Sequence, residues 1–382
     1  MHYRVISTDD HLQEGPTAWT DRMSNAKWGD KVPHVRPNGD GTDSWYIYGQ
    51  RRLGAVSVIP NVAAVHGVMP DRTRGPARWA DVPLKAYVPA ERIKAMDQDG
   101  VDVHTLFGNI AGAAGHTFSN PAYPDKDFCL EAIRAFNDYQ IDEWATPHPG
   151  RFITLAVLPM WDVDLAVTEV ARMRRRGVKG ISFAFPQQYN YRHICERYWD
   201  PLWATAQEAG LSINLHIGSG GGMGWGKTSY AGQHPDLQLA ETSANTTTAN
   251  TQVMNTILFS GILERFPRLK WVSSESGIGW VPYVLELADH QFEQQRLWER
   301  GFTLKPSQYF HRQCHVNFWF EVSGLKLREQ IGIDNIMWES DYPHPTTTWP
   351  NSRDYIQRSL KDVPEPERRK ILVENAVRVF NL

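Results

Sequence analysis

Cysteine is scarce in this sequence: the 382 residues include only Cys129, Cys195 and Cys314. Their spacing lacks the close pairs that hold structural metal ions, and no apolar signal region stands at the start of the chain. Both features are typical of proteins of the reducing cytoplasm, where thiols stay free. We therefore expect a cytoplasmic protein.

Long apolar runs and a strong excess of one charge are also missing. No stretch approaches the roughly 20 apolar residues that span a bilayer. The net charge of −3 at pH 7 gives no general attraction to nucleic acid or to an anionic membrane. The glycine-rich run 218–222 lacks the Lys-Ser/Thr ending and the glycine spacing of nucleotide-binding loops. We therefore expect a small-molecule substrate, with neither nucleic acid nor membrane as partner.

The sequence does contain a regular alternation of helical and extended patterns from Val88 onward. Helices are predicted over 89–98, 125–146, 162–175, 201–209, 250–266 and 280–298. Strands are predicted over 3–7, 101–107, 152–158, 178–183, 211–216, 269–275, 315–321 and 335–338. About eight such alternations are typical of an α/β fold in which a parallel (β/α)8 TIM barrel is surrounded by helices. An open, doubly wound sheet is the alternative.

Residues 15–85 interrupt this alternation. They are rich in Gly, Pro, Trp and Arg, and the stretch 45–51 has the pattern of a β-hairpin. We interpret 15–85 as an N-terminal insertion, or cap, within one barrel domain that spans residues 1–382. His66 in this insertion is a candidate contact for an anionic substrate, although exposed surface residues of this kind are more often simply solvated.

Polar residues stand at the ends of the predicted strands. Asp9 and His11 are two positions apart, so an extended backbone points both to one side and Asp10 to the other. Each of these residues alone could be a helix cap or a buried core residue. Together they indicate a shared metal site, because the carboxyl ends of barrel strands converge on one face. The candidates on later strands are His104, His216, Glu275 and Asp341. Oxygen and imidazole ligands without thiolate suit Zn²⁺, Mn²⁺ or Fe²⁺.

Several short motifs give the chain a family resemblance: the Asp9-x-His11 opening and the stretches 215–218, 275–282, 340–344 and 374–380. Together they resemble the amidohydrolase-related superfamily, in the branch that contains aminocarboxymuconate semialdehyde decarboxylase and γ-resorcylate decarboxylase. The resemblance implies a (β/α)8 barrel with one divalent metal, whose ligands by position are Asp9, His11, His216 and Asp341. It also implies a homodimer or homotetramer.

The chain departs from this pattern at three positions. Asp9 stands where many relatives have His or Glu, which makes the predicted site more anionic. Glu275 occupies the place at which decarboxylases of this branch carry a catalytic His. Lys179 lies early in its strand and is followed by Gly180, so no obvious carboxylated lysine supports a dinuclear hydrolytic site.

Two enzymatic interpretations remain open. The first is a metal-dependent hydrolase or nonoxidative decarboxylase of a small aromatic or cyclic carboxylate or carbonyl compound, with zinc favoured and manganese or iron as alternatives. Asp341 or Glu275 would then move the proton, while His104 and His344 would contact the substrate or the ligands. The second is a dinuclear iron or iron/manganese oxygenase, in which Glu275 and Glu14, His104 or His344 complete another metal site. A barrel without catalysis is a third, weaker possibility.

Overall fold

The computed structural model describes residues 3–51, 63–72, 74–220 and 232–382. Eight parallel strands form one sheet, in which each strand pairs with its neighbour in sequence. They are β1 Ile6–Leu12, β2 Val103–Gly108, β3 Phe152–Val157, β4 Gly180–Ser182, β5 Ser212–His216, β6 Trp271–Ser274, β7 Cys314–Phe318 and β8 Ile336–Trp338. The sheet is a nearly closed barrel with helices between the strands, which confirms the predicted (β/α)8 fold. Within the described residues, no helix combines the length and apolarity that crossing a bilayer requires.

Helices surround the barrel. Their bounds are Asn25–Trp28, Leu84–Tyr87, Pro89–Asp99, Lys126–Tyr139, Val163–Arg175, Asp200–Ala209, Pro235–Thr246, Asn250–Phe259, Ile262–Arg265, Val281–Gln294, Pro306–Gln313, Ser323–Lys326, Arg328–Ile331, Ser352–Ser359, Glu365–Arg369 and Asn375–Phe380. The single helix predicted over 250–266 is in fact two, because Gly261 adopts φ +71° between them. Residues 17–24, which have a helical pattern, fold as consecutive turns instead.

Hydrogen bonds join the first strand to the last and so close the barrel. The Asp341 amide donates to the Asp9 carbonyl at 3.0 Å, and the Thr8 hydroxyl donates to the Trp338 carbonyl at 2.9 Å. The Ser340 amide donates to the Ser7 hydroxyl at 2.8 Å, between residues 333 positions apart in sequence. This junction places the C-terminal ends of β1 and β8 side by side.

The predicted hairpin is part of a three-stranded antiparallel sheet of His34–Pro37, Asp43–Ile47 and Gln50–Arg51. Its buried Trp45 packs against Trp19 and Trp79. Further along, the turn His66–Val68 lies against the segment that follows β8, where the Gly67 amide donates to the Pro343 carbonyl at 3.0 Å. The described part of residues 15–85 therefore contacts the same end of the barrel at which β1 and β8 finish.

Candidate metal centre

The first strand supplies two buried polar side chains that point to the same side. Asp9 and His11 lie inside β1, which continues beyond the predicted end at Ser7. His11 Nε2 is 3.6 Å from Asp9 Oδ1. Asp10 points to the other side, as expected, where it accepts hydrogen bonds from the Ser340 hydroxyl and the Thr105 amide. The alternation of a strand therefore separates two functional residues from one that links β1 to its neighbours.

Three other strand ends bring side chains to the same place. His216 ends β5, and its Nε2 lies 3.1 Å from His11 Nε2 and 3.7 Å from Asp9 Oδ2. Glu275 follows β6 directly, with Oε2 2.9 Å from His216 Nε2. Asp341 follows β8 with Oδ1 3.4 Å from His11 Nε2. Both Glu275 and Asp341 adopt φ +53°, a conformation that is uncommon outside glycine and frequent at functional sites.

The orientation of His216 is set by its backbone. Its Nδ1 lies 3.0 Å from the carbonyl of Ile217, and because a carbonyl only accepts, Nδ1 carries the proton. Its Nε2 faces Glu275, His11 and Asp9. This tautomer is the one that binds a metal through Nε2, with the other ring nitrogen held by a carbonyl.

Several buried atoms in the cluster have no hydrogen-bond partner among the described residues. They are both carboxylate oxygens of Asp9 and Nδ1 of His11. Burial, together with the negative charges of Glu339 and Glu275, raises the pKa of Asp9 well above its usual value. Burial and the neighbouring His344 lower the pKa of His11. Uncompensated buried charge of this kind costs several kcal/mol, about what a bound cation would offset.

The donor geometry fits a divalent cation. One ligand atom each from Asp9, His11 and His216 lies within 4.8 Å of the others, and the same holds for His11, Glu275, Asp341 and His344. The two groups share His11, so they describe one connected centre. Carboxylate and imidazole donors suit Mn²⁺, Zn²⁺ and Fe²⁺. The structure thus brings together all five predicted metal ligands.

His344, a predicted catalytic residue, also joins this centre. Its ring stacks on His11 with centroids 3.5 Å apart, and its Nδ1 lies 3.1 Å from Asp341 Oδ1. Its Nε2 lies 3.1 Å from the amide oxygen of Asn109. Burial lowers the pKa of His344, but the Asp341 carboxylate outweighs burial and raises it. Burial likewise opposes ionisation of Asp341, yet His344 and His11 hold its pKa below the usual range. His344 is therefore a partner of Asp341 and binds a proton more readily than a free histidine does.

The two other predicted candidates lie outside the centre. His104 is buried with Nδ1 3.3 Å from Arg92 Nη1 and Nε2 3.7 Å from Asp10 Oδ1, on the opposite side of β1 from the ligands. Burial and the positive charge of Arg92 lower its pKa well below the usual value. The Glu14 carboxylate accepts hydrogen bonds from the amides of Ile110 and Ala111. In this structure, His104 and Glu14 hold the loops and strands that surround the ligands.

The structure adds residues that sequence reasoning missed. Glu339 is fully buried, and its Oε2 accepts a hydrogen bond from the Glu275 amide at 3.1 Å. Its place in the short acidic run 339–341, which ends at Asp341, could have identified Glu339. Arg92 donates to the His11 carbonyl at 2.7 Å from a surrounding helix, and no local sequence signal marks it. His66 is buried rather than solvated, with Nδ1 3.1 Å from the Arg72 carbonyl.

Comparison with known proteins identifies the family. The family profile described as Amidohydrolase matches residues 66–382, most of the chain. The chain belongs to the amidohydrolase family. It is a metal-dependent enzyme of that superfamily, as the buried ligand cluster indicates. Because the match begins at residue 66, it includes three of the five predicted ligands, His216, Glu275 and Asp341, whereas Asp9 and His11 lie before it.

The relatives that follow share a quarter or less of their aligned residues with this chain. The chain is 25% identical over 349 residues to a γ-resorcylate decarboxylase of Polaromonas sp. JS666, covering 83% of this chain and 93% of that protein. The fold is similar to that of an amidohydrolase from Mycobacterium avium subsp. paratuberculosis K-10, with a TM-score of 0.75, 21% identity and full coverage of both chains. It is also similar to 5-carboxyvanillate decarboxylase of Novosphingobium aromaticivorans DSM 12444, solved with manganese and 4-hydroxy-3-methoxy-5-nitrobenzoic acid. That match has a TM-score of 0.65 and 17% identity, and covers 100% of this chain and 96% of the other.

Proposed function

We propose that this amidohydrolase-family enzyme is a metal-dependent nonoxidative decarboxylase of a small aromatic carboxylate. The observation that carries this proposal is the buried cluster of Asp9, His11, His216 and Asp341, in which neither carboxylate oxygen of Asp9 has a hydrogen-bond partner among the described residues. The relatives support the reaction, since the curated proteins it matches are named decarboxylases of aromatic acids. The comparisons give no support to the oxygenase alternative.

Manganese is the metal that we propose in place of the predicted zinc. The donor set contains two carboxylates, Asp9 and Asp341, with a third, Glu275, close by, and oxygen-rich sites favour the harder Mn²⁺. Two structurally similar decarboxylases were solved with manganese. A divalent ion held by these residues would supply Lewis-acid polarisation of substrate oxygens.

Glu275 is the residue that we assign to proton transfer. Loss of carbon dioxide from an aromatic acid requires a proton on the ring carbon that bore the carboxylate. Burial and the nearby Asp341 charge raise the pKa of Glu275, which favours the protonated acid that this step needs. The carboxyl group would donate this proton as the carbon–carbon bond breaks, and would recover one from water. His344, as a cation beside Asp341, would attract the anionic substrate.

Hydrolysis is the second candidate, and the same glutamate favours it. Decarboxylases of the resembling branch carry a His at this position, whereas an ionised Glu275 could act as general base for water. The two reactions differ in products, so one assay separates them.

The test is to incubate manganese-loaded protein with 2,6-dihydroxybenzoate, 5-carboxyvanillate and related hydroxybenzoates in D₂O. Decarboxylation gives carbon dioxide and an arene with one deuterium at the former carboxylate position. An aryl ester or amide panel in parallel detects hydrolysis. The proposal is wrong if hydrolysis products form while no carboxylate in the panel releases carbon dioxide. The predicted cytoplasmic location and homo-oligomeric state stay predictions.

A further inference from the structure

A cavity lies at the opposite end of the barrel from the metal centre. Its volume is about 410 Å³, within the range of small-molecule sites. Residues 3–5, which precede β1, form one wall, and the helices Ser352–Ser359 and Glu365–Arg369 form the others. Because the metal ligands lie at the far ends of β1 and β8, this cavity is distinct from the centre described above.

The charges around this cavity are unbalanced. Among the described residues that line it are four arginines and one acidic residue, Glu365. Arg4 pairs with Asp102 at 3.0 Å, and Arg369 pairs with Glu374 at 2.9 Å. Arg353 and Arg368 differ, because within the described parts of the chain neither has a carboxylate oxygen close enough for an ion pair. The Asp99 carboxylate attracts Arg353 over a longer distance. Two guanidinium groups without a close ion pair in the described residues therefore line the cavity.

The two guanidinium groups have different surroundings. Arg368 donates from Nε to the Val363 carbonyl at 2.7 Å and from Nη2 to the Lys361 carbonyl at 2.9 Å, which leaves Nη1 to other acceptors. The Arg353 side chain lies against Gly100, where an added Cβ would be 2.2 Å from Arg353 Nε. Glycine at position 100 thus leaves the space that the guanidinium fills. A guanidinium held by hydrogen bonds, as that of Arg368 is, loses less conformational freedom when an anion binds.

Apolar side chains form the remaining lining. They are Val5, Ile356, Leu360, Leu372 and Val373. A bare inorganic ion would gain nothing from these side chains, whereas a ring or short alkyl chain would bury apolar surface against them. Guanidinium groups bind carboxylate and phosphate in the same forked geometry. We propose that the cavity binds a small organic anion, with a carboxylate or phosphate facing Arg353 and Arg368 and an apolar body against this lining.

Bromine-labelled probes would test the site. Crystals of the full-length, metal-loaded enzyme would be soaked with 4-bromobenzoate, 4-bromophenyl phosphate or the neutral 4-bromobenzyl alcohol. We expect an anomalous bromine peak in the cavity with the anions and none with the alcohol. The anion that gives the stronger bromine peak shows whether the cavity prefers a carboxylate or a phosphate. A probe at the metal centre would give a separate peak at the other end of the barrel, so failure of the proposed reaction and failure of this proposal are distinguishable.

Calorimetric titration of three variants with 4-bromobenzoate and 4-bromophenyl phosphate completes the test. Arg353→Gln/Arg368→Gln should weaken binding at the cavity at least about tenfold and leave turnover unchanged. Arg358→Gln, on the same helix but outside the lining, is the matched control and should bind normally. Glu365→Gln removes the one acidic group and should strengthen binding about twofold or more, a gain that misfolding cannot produce. Equal binding of anion and alcohol, or an unchanged affinity in the double variant, would overturn the proposal.

Discussion

The residues of the metal centre could be predicted from their positions at strand ends more than from their residue types. Asp9, His11, His216, Glu275 and Asp341 could be predicted because each stands at or near the C-terminal end of a barrel strand, and those ends converge. Glu339 and Arg92 escaped prediction for different reasons. Glu339 lies in a run already assigned to Asp341, and Arg92 reaches the His11 carbonyl from a helix whose inward reach depends on tertiary packing.

Among single residues, Glu275 allows a role in proton transfer to be distinguished from a role in metal binding. We expect Glu275→Gln to lower kcat by about 10²- to 10⁴-fold, since an amide cannot donate a carboxyl proton. The manganese content should stay near that of the wild type, because Asp9, His11, His216 and Asp341 remain. Elemental analysis and steady-state kinetics on the same preparations measure both. A parallel fall in metal content would show that Glu275 is a ligand instead.

A second prediction concerns Asp9. Its replacement should stabilise the metal-free protein but weaken metal binding. Its two buried oxygens have no hydrogen-bond partner in the described residues. Asp9→Asn should therefore raise the free energy of unfolding of chelator-treated protein by about 1 kcal/mol or more, by removing a buried charge. The same change should weaken manganese binding. Urea unfolding with and without manganese checks both parts, and a loss of stability in the metal-free variant would contradict the argument.

At the scale of elements, the strands were predicted within a few residues, and the errors have local causes. β1 continues through Asp9 and His11 because its pairing with β2 extends to Leu12, whereas the charged run suggested a strand end. The helix predicted over 250–266 is divided at Gly261, where left-handed geometry ends the first helical segment. Hydrophobic periodicity alone cannot show either the partner strand or the backbone angle.

One element contact links the insertion to the metal centre. Gly67 packs so closely on the segment after β8 that an added Cβ would lie 2.1 Å from the His344 carbonyl oxygen and 2.9 Å from that of Pro343. We expect Gly67→Ala to displace His344 and to lower kcat/KM about tenfold or more, because a small misplacement of a catalytic group is costly.

The matched control for this change is Gly279→Ala. The nearest atoms to a Cβ at Gly279 are 3.7 and 3.9 Å away, an ordinary contact distance. Gly279→Ala should keep normal activity and a normal melting temperature. Unchanged kcat/KM in Gly67→Ala would mean that the segment after β8 tolerates the shift, and that the insertion does not position His344.

For the whole molecule, acid stability should depend on a histidine remote from the reaction. His315 is buried in β7, and burial, with Arg378 nearby, lowers its pKa to about 3. Its unfolded pKa is about 6.5. The unfolded chain therefore binds this proton first as pH falls, so His315 costs stability between about pH 6.5 and 3, by up to about 1.4 kcal/mol per pH unit.

We expect His315→Gln to reduce the slope of unfolding free energy against pH within that window. Above about pH 7 the two proteins should show the same slope, because His315 is then neutral in both states. Urea unfolding at several pH values measures the difference. Parallel curves from pH 6.5 to 4 would show that His315 is protonated as easily in the folded protein as in the unfolded chain.

The barrel was predictable as a whole because about eight alternations of helix and strand leave few other topologies. The role of residues 15–85 as a cap and the single-domain assignment of residues 1–382 stay predictions. Residues 52–62, within that insertion, and 221–222, from the glycine-rich run, lie outside the described residues. Substrate and metal identity depend on the pocket chemistry and on relatives, which strand patterning does not encode.

The junction of β1 and β8 has a consequence for how the enzyme is made. Asp9 and His11 leave the ribosome early, whereas Asp341 comes from near the other end of the chain, with hydrogen bonds across the junction joining residues 333 positions apart. Contacts this distant in sequence form late in folding. A prematurely terminated chain that lacked Asp341 would have an incomplete ligand set. A metal ion bound by the full ligand set would therefore report that the chain has been synthesised at least as far as Asp341 and that β1 and β8 have met.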